Sequence, residues 1–166
     1  MQIIRNSQVL VACLVVACSS VTKDISVESE LGPNPDFSRY QTYDWTNLTT
    51  VLNDPEGRWS APGFNAVGYV IAQVDTALQQ RGLTRSDTDP DLLASIGTGI
   101  NMEYVDSAKA ATIPKGALVL VLVDNASGNL AWMGTATGNI QEDLDDDTVR
   151  KRLAHAVSQM MKQMPK

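Results

Sequence analysis

A chain of 166 residues with 43% apolar and 19% charged residues has globular composition and the length of one domain. A domain of that size buries about two-thirds of its unfolded surface and needs no disulfide staples. A net charge of −6 argues against a nucleic-acid binder and against adsorption to anionic headgroups.

Residues 1–17 read as a signal peptide outside the domain. Arg5 gives a weakly positive start, and the apolar run from Val9 to Ala17 is too short to span a bilayer, which takes about 20 residues. A charged start, a short apolar core and a small residue at the cleavage point make a secretory signal. Cys18 directly after Ala17 makes the stretch resemble the lipobox of bacterial lipoproteins, with Val15 where leucine is commonest. That resemblance implies cleavage before Cys18 and acylation of both its sulfur and its amine, palmitate-type chains included. Three chains at about 0.8 kcal/mol per buried methylene would anchor stably, where one does not. An ordinary signal peptide with an incidental cysteine is the alternative. Ser19 and Ser20 are not the aspartate that resembles an inner-membrane retention signal, so the expected address is the periplasmic leaflet of the outer membrane. Cleavage removes Arg5 and Cys13, leaving 12 basic against 19 acidic residues, a charge of −7, and no free thiol. Disulfides, cysteine catalysis and thiolate metal ligation are thereby excluded.

Residues 18–24 are then a lipidated cysteine and a tether reaching at most roughly 20 Å, and residues 25–166 a single globular domain. Residues 25–30 alternate as an edge strand, and Gly32, Pro33 and Pro35 break it. Residues 39–45 read as a second strand. Residues 46–64 read as a long connection through Pro55, Gly57, Pro62 and Gly63, lying over the sheet as a cover or standing as a lid or binding loop.

Residues 65–81 predict a helix, with Asn65 as N-cap and Val67, Val70, Ile71, Val74, Ala77 and Leu78 on one face. Gln73, Asp75, Gln79, Gln80 and Arg81 are expected to face out. Gly82 suits the left-handed position after the helix, with Leu83 packing back on Leu78. Residues 87–91 read as a turn and residues 92–98 as a strand entering a bend at Gly97 and Gly99. Residues 101–105 extend it or form a strand of their own, and residues 106–114 read as a loop.

Residues 116–138 carry the central hairpin, two strand-like runs joined by the turn residues Asp124, Asn125, Ala126, Ser127 and Gly128. Leu118, Leu120 and Leu122 point one way, and Val119, Val121 and Val123 the other. A strand apolar on both faces is expected to be covered on both. Trp132 is expected in the core, its indole N–H on a backbone carbonyl. Residues 145–164 predict a second helix with the stripe Val149, Leu153, Val157, Met160 and Met164, acidic at its start and with Lys162 near its end.

Little in the sequence points to catalysis. His155 is the one histidine and reads as a surface residue of the last helix, so no conventional zinc site or Cys–His pair is available. Asp87, Asp89 and Asp91, and again Asp143, Asp145 and Asp147, have the spacing that opens a calcium loop, but lack its glycine and glutamate. A turn and a charged helix start explain them better. Met160, Met161 and Met164 either fill the core or, with Trp59 and Phe64, line a contact for a ligand or partner.

In order and spacing the chain resembles the bacterial lipoprotein family known as domain of unknown function 4136. The resemblance rests on Cys18, the run DFSRYQTYDW from Asp36 to Trp45, and LQQRGL from Leu78 to Leu83. It continues with DPDLL from Asp89 to Leu93, Gly116 to Leu118 leading into Val123-Asp124, and GNLAWMGTA from Gly128 to Ala136. Met133 departs from the basic residue expected after the tryptophan. The family implies an envelope lipoprotein with an α+β domain and brings no catalytic residues. The expected fold is α+β, a mainly antiparallel sheet of five or six strands with two amphipathic helices on one face. The expected function is a non-enzymatic interaction or structural module of the envelope that needs no cofactor or metal. Its membrane contact is the lipid at Cys18, and its partner an envelope protein or wall component. A carrier or sensor of a small apolar ligand bound between sheet and helices is the alternative.

Overall fold

The computed structural model describes residues 21–109, 111–141 and 144–165. The signal segment, Cys18 and the first tether residues lie outside the described residues. In chain order the elements are strands β1 (Ser26–Leu31) and β2 (Thr42–Asn53), helix α1 (Ala66–Gln80), strands β3 (Thr84–Arg85), β4 (Leu92–Asn101), β5 (Val105–Asp106), β6 (Ala111–Thr112), β7 (Lys115–Asp124) and β8 (Leu130–Asn139), and helix α2 (Asp146–Gln163). Six strands form one sheet in the order β1-β8-β7-β4-β2-β3, and β5 and β6 pair as a small ribbon.

The fold is α+β, and the sheet is mixed. Pairings β1–β8, β8–β7 and β7–β4 are antiparallel, whereas β2 runs parallel to both β4 and β3. The cause is α1: a helical crossover from β2 brings the chain back to the same end of the sheet, which makes its next strands parallel.

Both helices pack on one face. Val70, Val74 and Leu78 of α1, with Ala156, Val157, Met160 and Met161 of α2, meet Tyr43, Leu92, Ala94, Ile96, Leu118, Leu120, Leu122, Trp132 and Ala136 of the sheet. Gly134 lets the Trp132 ring lie back along β8, since a Cβ there would stand 2.4 Å from the ring. The indole N–H of Trp132 is buried and meets no acceptor among the described residues, contrary to the carbonyl expected for it.

The caps follow the sequence. Asn65 accepts from the Gly68 N–H at 2.9 Å. After α1 the Gly82 N–H donates to the Gln79 carbonyl at 2.9 Å and the Leu83 N–H to that of Leu78 at 3.1 Å, with Gly82 at φ +89°. Asp145 caps α2 through the Thr148 N–H at 2.7 Å. Asp75 and Arg81, expected to face out, do not. Asp75 turns to the sheet, and Arg81 donates to the carbonyls of Met161 and Pro165, tying the two helix ends together.

Three expectations about the strands are also corrected. Residues 46–53 continue β2 rather than open a long connection, because the β-branched run from Thr46 to Asn53 pairs along β4 as far as Asn101. The connection is residues 54–65, and residues 46–53 of the expected cover are part of the sheet itself. Gly97 and Gly99 lie within a continuous β4 rather than at a bend. Part of the loop at 106–114 folds back as the β5–β6 ribbon.

Candidate functional site

The helix-free face of the sheet is built by the alternate residues of the core strands. Val119, Val121 and Val123 of β7 run down its middle, in register with Gly97, Ser95 and Leu93 of β4. On the other side Val119 and Val121 stand beside Thr135 and Met133 of β8, which in turn stand beside Glu28 and Glu30 of β1. No described element packs on this face. The valines, Leu93 and Met133 are half-buried among one another and open to solvent outward. Gly97 and Gly99 are not required by crowding: a Cβ at either would make only ordinary contact, 3.8 Å from Val119 and 3.7 Å from Ala117. They leave a shallow lane beside the valine column. The surface is therefore an open, largely apolar strip with a carboxylate border on the β1 side.

A second feature closes one end of the sheet. A 3-10 turn at Phe37–Arg39 leads into β2, and two aspartates hold the strap. Asp91 accepts from the backbone N–H groups of Gln41 and Thr42 at 2.8 and 2.9 Å and from the Thr42 hydroxyl at 3.0 Å. Asp124 accepts from the Tyr40 hydroxyl at 2.9 Å, from Arg39 at 3.3 Å, and from the backbone and hydroxyl of Ser127. These donors hold both carboxyls below the usual carboxylate range, chiefly the backbone N–H of Gln41 for Asp91 and of Ser127 for Asp124. Burial first, and the bond to Asp124 second, push the Tyr40 hydroxyl up to about 12. A surface concavity of about 330 Å³ lies over this corner, lined by Pro33, Asp36, Arg39, Tyr40, Asp124 and Ser127 among others. The runs DFSRYQTYDW, DPDLL and the end of β7, far apart in sequence, thus meet here, and their aspartates bind backbone and turn groups of the protein itself.

The other residues singled out from the sequence are spread apart. Met160, Met161 and Met164 are buried in the core cluster. Phe64 lies at the opposite end of α2, edge-on to Tyr69 at 5.9 Å and beneath the Arg150 guanidinium at 4.1 Å. Trp59 is half-buried, its backbone N–H donating to Asp54 at 2.8 Å. Gly63 donates to Asp146 at 2.9 Å, which fastens this connection to the first turn of α2. Some 15 Å of helix separates Arg150 from Met160 at 1.5 Å per residue, so the aromatic and methionine groups form no common site. A second concavity of about 350 Å³ runs between the outer sides of α1 and α2, past Gln73, Ala77, Arg81, Ser158 and Met161. Neither concavity lies between sheet and helices, where the alternative reading placed a small apolar ligand. His155 is half-buried on α2. Among the described residues no three His, Cys, Asp or Glu side chains are grouped to hold a metal ion.

Two contacts escaped the sequence reading. Asp75 accepts from the Tyr43 hydroxyl at 2.7 Å and the Trp45 indole N–H at 2.9 Å, fixing α1 to β2. Its signal was present, since Asp75 stands four residues after Ile71 and three before Leu78 on the apolar side of α1. Arg152 of α2, 9% exposed, makes a two-pronged bond to Asp24 at 2.8 and 2.7 Å and also donates to the carbonyls of Asn139 and Val21. That bond, ahead of every other cause, lowers the Asp24 carboxyl to about 2.

Among the described residues the architecture is a sheet backed by two helices on one face and open on the other. The profile of the domain of unknown function DUF4136 matches residues 27–166, and the chain belongs to that family. A DUF4136 family protein from Bacteroides thetaiotaomicron has a similar structure, with a TM-score of 0.56 at 12% identity over 84% of this chain and 95% of that one. A PDZ domain protein from Parabacteroides distasonis matches with 0.53 at 13% identity over 86% of this chain, which spans 37% of that protein. A PelC dodecamer from Paraburkholderia phytofirmans matches with 0.45 at 13% identity, over 82% of this chain and 98% of that one. At these identities the first two likenesses speak to fold alone. No curated protein matches the chain by sequence.

Proposed function

We propose that this protein is a lipid-anchored, non-enzymatic module of the bacterial envelope that receives an envelope protein or a wall component on its helix-free sheet face. The observation that carries this reading is the strip of Val119, Val121, Val123, Leu93 and Met133 on a face that no described element covers. Contiguous apolar surface of that kind marks interaction sites in soluble domains. The glycine lane beside it allows a partner to approach the backbone. Cys18, in a lipobox-like setting, is the proposed attachment point in the periplasmic leaflet of the outer membrane. No described helix is long and apolar enough to cross a membrane, and this reading puts bilayer contact on the lipid.

Two measurements test it in cells producing the full chain. Labelled palmitate is expected on the protein and absent from the Cys18→Ser variant; label on both would end the anchoring claim. A photo-crosslinking residue at Val121 is expected to capture a defined envelope component that the same probe at Gln79, on the exposed side of α1, does not. Equal capture at both positions would sink the docking face.

A further inference from the structure

We infer that the outer edge of β2 is a self-association seam, through which two copies of this chain pair antiparallel about a two-fold axis at Thr50.

The edge is open. On its outer side β2 pairs with β3 only at Thr42 and Tyr43, and the Ser86 N–H closes that contact on the Tyr43 carbonyl at 2.9 Å. Past the irregularity between Trp45 and Asn47, β2 runs on to Asn53 with β4 as its one neighbour among the described residues. The Met102 N–H donates to the Asn53 carbonyl, which sets Asn53 facing β4. Alternation along the strand then turns the N–H and C=O groups of Leu48, Thr50 and Leu52 outward.

Composition does nothing to blunt this edge. Natural edge strands are protected by charge, proline or bulges, yet the run from Thr46 to Asn53, TNLTTVLN, holds no charged residue and no proline. Leu48, Val51 and Leu52 are 56%, 62% and 50% exposed. In a chain of net charge −6, a neutral seam is what allows two copies to approach against their mutual repulsion.

The sequence also specifies the occupant. A two-fold contact is isologous, so each residue must suit its mirror position. An axis at Thr50 sets Asn47 opposite Asn53, Leu48 opposite Leu52, Thr49 opposite Val51 and Thr50 opposite itself. Every pair matches in polarity or shape, because the run reads almost alike in both directions. The outward groups of Leu48, Thr50 and Leu52 face those of Leu52, Thr50 and Leu48 in the second copy, so each donor meets an acceptor. The β3 contact at one end and the turn closed by the Gly57 N–H on the Asp54 carbonyl at the other leave Thr50 at the middle of the free stretch.

Sedimentation of the full chain in density-matched detergent is expected to show a concentration-dependent dimer. Thr50→Lys sets like charges across the axis and is expected to leave only monomer with an unchanged circular dichroism spectrum. Thr50 also bonds the Thr98 hydroxyl at 2.9 Å, so Thr98→Ala, which loses that bond without adding charge, is expected to keep the dimer. Register is tested in full chains bearing Cys13→Ser and Cys18→Ser. Under mild oxidation a mixture of Thr49→Cys and Val51→Cys chains is expected to crosslink, and neither alone, since directly opposed strand positions fall within disulfide reach. Monomer at every concentration, a dimer indifferent to Thr50→Lys, or crosslinking equally strong in each variant alone would overturn the inference.

Discussion

Leu118, Leu120 and Leu122 leave β7 on one side and Val119, Val121 and Val123 on the other, and only the leucines end beneath helices. The two sides have the same alternation and similar hydropathy. What separates them is long-range: the apolar stripes of α1 and α2 close on one face, and the segment able to reach the other is spent in extending β2. A fully apolar strand therefore implies that both faces are satisfied somewhere, within the chain or outside it.

That contrast can be broken or sharpened by substitution. Leu120→Ala opens a cavity under the helices and is expected to cost about 2–5 kcal/mol, read as a large drop in the urea midpoint. Asp24→Asn attacks the covered side where α2 is fastened, leaving the Arg152 guanidinium without its carboxylate. A loss of about 2–3 kcal/mol is expected, or roughly 5–10 °C in Tm. The same pair gives a pH signature. Asp24 has a folded value of about 2, below the ordinary value of about 3.9. Its contribution is complete above that ordinary value and disappears as the pH falls through about 2. Between pH 4 and 2 the native protein is expected to lose more stability than Asp24→Asn, by urea titration.

On the open face effects are expected to be small or reversed. Val121→Ala should cost about 1 kcal/mol or less, while reducing partner capture in cells. A cost as large as that of Leu120→Ala would mean that the valine face is covered after all. Gly97→Ala, with room for its Cβ, is expected to add about 0.5–1 kcal/mol by relieving the entropic cost of glycine in a strand. If it also weakens partner capture, the lane beside Val119 is part of the docking surface.

Legibility followed signal length. Both helices and the central hairpin were readable because caps, periodicity and turn residues agree over many positions. The distal half of β2 was missed because Pro55 and Gly57 drew the boundary of a loop too early, and an edge strand exposed on both sides lacks the alternation of a half-buried one. Strands β5 and β6, of two residues each, are too short for any periodic signal. The parallel pairing of β2 was set by the α1 crossover, which no local pattern encodes. Of the site, the valine column was visible but not its exposure. Asp91 and Asp124 looked like turn residues, and their contacts across 49 and 84 positions to the 36–42 strap depend on the assembled sheet.

The grip of Arg152 has a mechanical meaning. Val21 and Asp24 are held to α2, and through Asn139 to the end of β8, before β1 begins. A pull on the N-terminal segment is therefore borne first by a helix in the core and by a strand inside the sheet. The exposed β1, whose bonds to β8 could otherwise be unzipped one at a time, lies behind that knot and is shielded from the load.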